Sequence, residues 1–222
     1  MGEKRPEDFA GLLERYGKRK HPLEYRNRYQ LVVMVVLSGN DSDRHVNALA
    51  PGLFAAYPTL RSLAAATSED LLAHIGTAAP GGAVNRAPDK AERLIAFAKA
   101  IGDDERIPRR FGELTAFDGI GPKTANVIIR ESGDAAEGVI VDLHVLRVAP
   151  RIGIAAGKTA PTIERQLKAL FPPERWNEVG MALSFLGREL CRPTKPKCDL
   201  CPVARVCDHR NGPAGAQSEL SF

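Results

Sequence analysis

Apolar residues recur at helical spacing along most of the chain. Four stretches place them at positions i, i+3, i+4 and i+7, the pattern of a helix that buries one face and exposes the other. These stretches are residues 60–76, 89–102, 160–171 and 175–190. The pattern predicts an all-α fold.

One apolar run departs from this periodicity. Residues 31–37, with the sequence LVVMVVL, are rich in β-branched side chains and do not alternate, so propensity alone favours a buried strand. A lone strand would have no partner in an otherwise helical chain, and we therefore expect a fully buried helix. The run is far too short to span a bilayer, and we expect no membrane segment.

Two other segments are predicted to lie outside helices. Residues 77–88, TAAPGGAVNRAP, contain two prolines and two glycines and should form a loop that joins two helices. Residues 211–222 are mostly polar and contain glycine, a composition that predicts a disordered tail.

Composition and charge define the broad class of the protein. The chain has 222 residues, of which 44% are hydrophobic, enough for one large domain or two smaller ones with packed cores. A net charge of +4 permits a polyanionic partner without requiring one. Residues 1–20 are charged and lack the apolar core of a secretion signal, so we expect a cytoplasmic protein in a reducing compartment.

All four cysteines fall within residues 191–207, CRPTKPKCDLCPVARVC. Disulfide bonds are rare in a reducing compartment, and bridges within so short a loop would remove little entropy from the unfolded chain. A metal site is therefore favoured, but only Cys198 and Cys201 have the close spacing of a zinc knuckle. Four thiolates from one loop suit a cubane iron–sulfur cluster, whose outer two ligands would be Cys191 and Cys207. Zinc and structural thiols remain the alternatives.

Residues 114–131, LTAFDGIGPKTANVIIRE, predict two helices joined by a tight hairpin. The turn consists of Gly119, Ile120 and Gly121, and the second helix starts at Pro122. Glycines let backbone N–H groups approach an anion closely, so the turn and the following helix start could hold a DNA phosphate. A second interpretation is that the glycines only permit a sharp turn between packed helices. Ile120 is a core residue in both interpretations.

Lys123 stands in the first turn of that second helix. The positive end of a helix disfavours a cation, so this position favours the neutral amine, which is the nucleophilic form of lysine. The alternative is an ordinary lysine that binds a phosphate.

Asp142 follows the apolar residues 139–141 and precedes a new helical pattern. An aspartate at this position is typical of a helix N-cap. It could also be a carboxylate that accepts a proton and stabilises positive charge. His144, just after it, is predicted to be a hydrogen-bonded packing residue.

Together these motifs resemble the endonuclease III family of helix–hairpin–helix DNA glycosylases. The resemblance covers residues 25–208 and rests on GIGPKTA, on VDLHVLRV and on the Cys-x6-Cys-x2-Cys-x5-Cys spacing, in that order. It implies a six-helix barrel domain over residues 25–135 and a cluster domain formed by residues 1–24 and 136–210. DNA would bind in a cleft between these two helical lobes, and the four cysteines would hold a 4Fe-4S cluster.

The activity implied by this resemblance is that of a bifunctional DNA glycosylase/AP lyase of base excision repair. Such an enzyme removes damaged, oxidised pyrimidines from duplex DNA, with Lys123 attacking C1′ to form a Schiff base before β-elimination. Asp142 would assist the lysine and stabilise the oxocarbenium charge. The expected partner is duplex DNA with a damaged base or abasic site, bound by a monomer associated with a bacterial or archaeal nucleoid. The alternatives are a mismatch or adenine-type glycosylase, and a DNA-binding or redox-sensing module with weak turnover.

The resemblance also implies a set of DNA-contacting residues. They are Gly119, Ile120, Gly121, Thr124, Asn40, Arg192, Lys195 and Lys197. Asn40 stands where the family commonly has a glutamine that fills the gap left by a flipped base, although it could equally cap a helix or start a turn.

Two further positions leave their interpretation open. The loop 77–88 is longer than the family's DNA-wedging turn and has Val84 as its one large aliphatic residue, so the wedge is unassigned. Lys90 resembles a basic residue near the site, and a solvated helix face explains it as well.

Overall fold

The structure is a computed structural model that describes residues 4–212, and within that range it contains helices and no strands. The α-helices, in chain order, are α1 (Ala10–Tyr16), α2 (Arg28–Leu37), α3 (Asp43–Ala56), α4 (Leu60–Ala64), α5 (Ser68–Ile75), α6 (Ala87–Ile101), α7 (Phe111–Thr115), α8 (Pro122–Glu131), α9 (Leu143–Ile152), α10 (Ala160–Leu170), α11 (Trp176–Glu189) and α12 (Asp208–Asn211). Short 3-10 helices span Pro6–Phe9, Asp104–Arg106, Pro173–Arg175, Cys198–Leu200 and Ala204–Val206. The all-α prediction is confirmed. The predicted disordered tail lies outside the described residues, except for Asn211, which ends α12, and Gly212.

The chain divides into two compact units. The first unit joins the residues up to Lys20 with those from Ala135 onward, and the second unit comprises His21–Asp134. No helix in the described range is long and apolar enough to cross a membrane.

Helix α2 forms the centre of the second unit. Asn27 caps it by accepting the backbone N–H of Gln30, and all residues from Leu31 to Leu37 are buried. Neighbouring helices α3, α6 and α8 pack around it. A helix that is apolar on every side must be enclosed by its neighbours, so the prediction of a buried helix over residues 31–37 is confirmed.

The prediction of one helix over residues 60–76 is wrong, because two helices occupy this stretch. Helix α4 ends at Ala64 and α5 begins at Ser68. The Thr67 hydroxyl accepts the N–H of Asp70, and the Asp70 carboxylate accepts the N–H and hydroxyl of Thr67. This capping box satisfies the first N–H groups of α5 and starts a new helix where apolar periodicity alone would continue the old one.

The predicted loop lies between α5 and α6, but it ends slightly earlier than expected. Helix α6 begins at Ala87, with Pro88 in its first turn. Proline lacks an N–H, but an N–H at this position would have no acceptor within the helix, so no helical hydrogen bond is lost. Gly81 and Gly82 adopt positive φ angles of 86° and 91°. Val84 is 2% exposed, and its N–H donates to the carbonyl of Ile75. Val84 is therefore a core residue that presents no side chain at the surface.

The first unit is built around α9, α11 and α1. Helix α11 packs against both of the others. Aromatic contacts reinforce this core, since the rings of Phe9 and Phe171 lie 5.8 Å apart and those of Tyr16 and Phe185 lie 6.2 Å apart. Rings at these separations make favourable contacts in addition to their buried area. The result is a rigid support for the start of α9 and for the cysteine loop.

Candidate functional site

The hairpin between α7 and α8 forms as predicted. Gly119 has a φ of 86°, a left-handed conformation that favours glycine, and a Cβ at this position would lie 2.9 Å from Cδ of Arg93. Ile120 is 3% exposed, which confirms it as a core residue. Gly121 is the N-cap of α8 and is exposed. The first N–H groups of α8 have no partner within the helix and lie beside this turn.

Lys123 is the second residue of α8 and is exposed. The opposite face of this helix is buried against α2 through residues that include Ala125, Ile128 and Ile129. Thr124, next to Lys123, is half-buried. The Lys123 amine is therefore carried on a long, flexible side chain from the first turn of α8, directly after the glycine turn.

Asp142 caps the start of α9 in the first unit. Its Oδ1 accepts the N–H groups of His144 and Val145, each at 2.9 Å. Its Oδ2 accepts the Ser184 hydroxyl at 2.6 Å, and an Arg188 guanidinium nitrogen lies 4.0 Å away. The predicted N-cap is confirmed, and Asp142 is 8% exposed. Sequence reasoning missed Ser184, although a single serine inside the apolar run MALSFL is a detectable signal.

His144 is half-buried, and its Nδ1 lies 3.3 Å from an Arg147 guanidinium nitrogen. This contact fits the predicted role of a hydrogen-bonded packing residue. Sequence reasoning did not assign a role to Arg147.

Two buried arginines of α9 hold the first part of the cysteine loop. Arg147 donates to the carbonyl oxygens of Gly187 and Cys191. Arg151 donates to the carbonyl oxygens of Arg192 and Pro193, at 2.7 and 3.0 Å. Burial lowers the pKa of the Arg147 guanidinium. Because charged donors satisfy backbone acceptors that would otherwise be buried alone, these two side chains fix the path of the loop.

The four cysteines line a single cavity in the first unit. The other residues that line it are mainly apolar or basic, and include Ile152, Leu190, Ala204, Lys197 and Arg210. None of the four thiols is in a disulfide. Burial raises the pKa of the Cys201 thiol to about 11, and it also raises the pKa of Cys207. Within residues 4–212 no group of three or more His, Cys, Asp or Glu side chains is arranged to hold a metal ion.

The predicted DNA-contacting residues of the cysteine loop are exposed. Arg192, Lys195 and Lys197 all lie at the surface between Cys191 and Cys198. Lys195 has a φ of 49°, which places it in the left-handed region. The loop therefore displays three cations on a backbone that Arg151 anchors.

Asn40 lies in the turn after α2 and is exposed. Its φ is 58°, and its carbonyl oxygen accepts the side-chain amide of Asn85 at 3.4 Å. Lys90 is buried, and its amine donates to the carbonyl oxygens of Leu37 and Gly39 at 2.6 and 2.7 Å. The interpretation of Lys90 as part of a solvated helix face is therefore wrong. Burial lowers its pKa, but its two hydrogen bonds hold the end of α2.

Comparison with known proteins adds independent information. Residues 33–173 match the profile of the HhH-GPD superfamily base excision DNA repair proteins. Endonuclease III of Rickettsia felis is 32% identical over 196 residues, which cover 87% of this chain and 89% of the relative. Endonuclease III of Bacillus subtilis is 31% identical over 188 residues, or 83% of each chain. Among solved structures, a trapped endonuclease III–DNA covalent intermediate has a TM-score of 0.78 and 27% identity, covering 90% of this chain and 92% of that one.

Proposed function

Because the chain belongs to the HhH-GPD superfamily of base excision DNA repair proteins, as its motifs suggested, we propose that it excises oxidised pyrimidines from duplex DNA and cleaves the resulting abasic site through Lys123. The protein is a DNA glycosylase/AP lyase of the endonuclease III type. The observation that carries the proposal is the position of Lys123, exposed in the first turn of α8 immediately after the Gly119–Gly121 turn.

The glycine turn and the start of α8 supply a phosphate site. Gly121 is exposed, and the N–H groups that follow it lie at the positive end of a helix. An anion there would receive backbone hydrogen bonds that carry no base information, so this contact would position DNA without selecting its sequence. Lys123 would then stand next to a bound backbone phosphate.

The chemistry proposed for Lys123 is nucleophilic attack on C1′ of a nucleotide turned out of the helix. The amine nitrogen forms a bond to C1′, the glycosidic bond breaks, and the base leaves with its bonding electron pair and takes up a proton. Loss of a proton from nitrogen and opening of the sugar ring give the Schiff base. Removal of a C2′ proton then expels the 3′ phosphate by β-elimination.

Asp142 is proposed to act in the same reaction. Its carboxylate is held by α9 and α11 with one oxygen engaged by two backbone N–H groups. An ionised carboxylate held rigidly can stabilise the oxocarbenium charge that develops as the glycosidic bond breaks. It can also accept a proton from the attacking amine.

We also propose that the four cysteines hold a 4Fe-4S cluster. The donor set fits, because each iron of a cubane is bound by one thiolate, so the four thiols need to surround a cavity and need not converge on one ion. When bound, the cluster would cross-link the loop by four iron–thiolate bonds. Residues Arg192, Lys195 and Lys197 would then form a basic edge of fixed shape that contacts phosphates.

A panel of duplexes that each contain one modified or mispaired base tests the substrate class. We expect release of oxidised pyrimidines followed by strand cleavage on their 3′ side. Preferential release of mispaired thymine or adenine, with little action on oxidised pyrimidines, would contradict the proposed substrate. Binding without base release from any member of the panel would contradict the enzymatic proposal.

A further inference from the structure

We propose that Ser184 is a positioning residue for base excision, because its hydroxyl fixes the Asp142 carboxylate and restricts it to one open acceptor position. The inference rests on the proposed role of Asp142. The Ser184 hydroxyl donates to Oδ2 of Asp142 at 2.6 Å. This separation lies within the range of short, charge-assisted bonds from a hydroxyl to a carboxylate.

Both residues are buried, so the hydrogen bond between them offsets part of the free-energy cost of removing the hydroxyl and the carboxylate from water. Ser184 is 0% exposed in the middle of α11, and Asp142 is 8% exposed at the start of α9. A buried carboxylate is unfavourable unless hydrogen bonds satisfy it. Each of the three hydrogen bonds to Asp142 comes from within the first unit, and only that from Ser184 comes from a different helix.

The acceptor positions of the carboxylate can be counted. An ionised carboxylate offers about four lone-pair positions. The N–H groups of His144 and Val145 occupy both positions on Oδ1, and Ser184 occupies one on Oδ2. The nearest guanidinium nitrogen of Arg188, at 4.0 Å, is too far for a hydrogen bond. Among the described residues this leaves one position on Oδ2 for a proton or a developing cation.

Ser184 therefore contributes in two ways. Its bond fixes rotation of the carboxylate, because backbone donors to Oδ1 alone would leave Oδ2 free to turn. It also gives Oδ2 a hydrogen-bond donor where the carboxylate is buried, which lowers the free-energy cost of removing this oxygen from water. The Arg188 guanidinium nitrogen that lies 4.0 Å from Oδ2 is unchanged when the hydroxyl is removed.

The test compares variants of the full-length, cluster-loaded protein under single-turnover conditions. Ser184→Ala removes the hydroxyl with almost no change of shape. We expect base excision to slow by about 10-fold, the factor that corresponds to a hydrogen bond to a charged group. Ser184→Thr retains a hydroxyl and should restore the wild-type rate.

Two comparisons separate this role from packing and from failure of the proposed function. Val179→Ala removes buried volume from the same helix without touching Asp142, and should lower stability without slowing base excision. A matching loss of excision rate in Val179→Ala would overturn the inference. A wild-type rate in Ser184→Ala would also overturn it, provided that Asp142→Asn slows excision by about 100-fold. A wild-type rate in Asp142→Asn would instead refute the catalytic role on which the inference depends.

Discussion

The Asp41 carboxylate and the His45 imidazole lie 2.8 Å apart and together fasten the α5–α6 loop to the start of α3. Asp41 accepts the backbone N–H of Asn85 at 2.9 Å, and His45 Nε2 lies 3.1 Å from the carbonyl oxygen of Gly82. The loop is thus held at two points three residues apart. The same contacts support the turn that carries Asn40, whose carbonyl binds the Asn85 side chain.

Removing the Asp41 charge should loosen this loop. Burial acts to raise the pKa of Asp41, but hydrogen bonds from Asn85, His45 and Ser42 outweigh it and lower the pKa below the ordinary aspartate value. We expect Asp41→Asn to destabilise the fold by about 1 kcal/mol near neutral pH, because the amide nitrogen that replaces one carboxylate oxygen cannot accept a hydrogen bond. Urea unfolding measures the loss. The matched control is Glu92→Gln, which makes the same change at an exposed carboxylate on α6.

The pH dependence of that loss has a defined sign. A carboxyl whose folded-state pKa is depressed contributes stability above its unfolded-state pKa and loses it as the pH falls through the folded-state pKa. The difference between wild type and Asp41→Asn should therefore shrink as the pH falls below the ordinary aspartate pKa of about 3.9. A difference that grows as the pH falls below this value would contradict the assignment.

The cysteine cavity predicts a metal content. Protein purified without oxygen should be brown, with a broad visible absorption band and about four irons per chain. Elemental analysis of the purified protein measures this directly. One zinc ion per chain with no iron would show that the thiols bind a single ion, contrary to the proposal.

The exposed lysines of the cysteine loop predict a change in salt dependence. Each phosphate neutralised contributes about 0.9 to the negative slope of log K against log salt. We expect Lys195→Ala combined with Lys197→Ala to reduce this slope by roughly 1 to 2 units and to weaken abasic and undamaged duplexes by similar factors.

The matched control removes two exposed cations elsewhere in the same unit, Lys158 and Arg165. The change in net charge is the same, but no phosphate contact is proposed for this pair. It should therefore leave the slope closer to wild type. Cluster absorbance must be equal in all three proteins. Wild-type affinity and slope in the loop variant would show that these lysines do not contact DNA.

The sequence predicted the features that depend on local pattern. Apolar periodicity identified α6, α10 and α11, and the Gly119–Gly121 turn followed from glycine and proline at fixed positions. The buried helix over residues 31–37 required one tertiary argument, that a lone strand has no partner. The prediction of one helix over residues 60–76 was wrong because the Thr67 capping box starts a second helix within a continuous apolar stripe.

The sequence did not predict contacts between distant parts of the chain. Lys90 binds carbonyl groups more than fifty positions earlier, and no local pattern separates it from a lysine on a solvated face. The same holds for the bond from Ser184 to Asp142 and for the bonds from Arg147 and Arg151 to the cysteine loop. Such pairs become visible only when the fold brings their helices together.

The central claim is that Lys123 is the covalent nucleophile, and borohydride trapping on abasic-site DNA tests it most directly. Borohydride reduces a Schiff base to a stable amine, so the wild-type protein should become cross-linked to the DNA. Lys123→Gln should give no cross-link while keeping its helical content and cluster absorbance, and Lys99→Gln, an exposed lysine of α6, should cross-link normally. Full cross-linking by a folded Lys123→Gln protein would contradict the account.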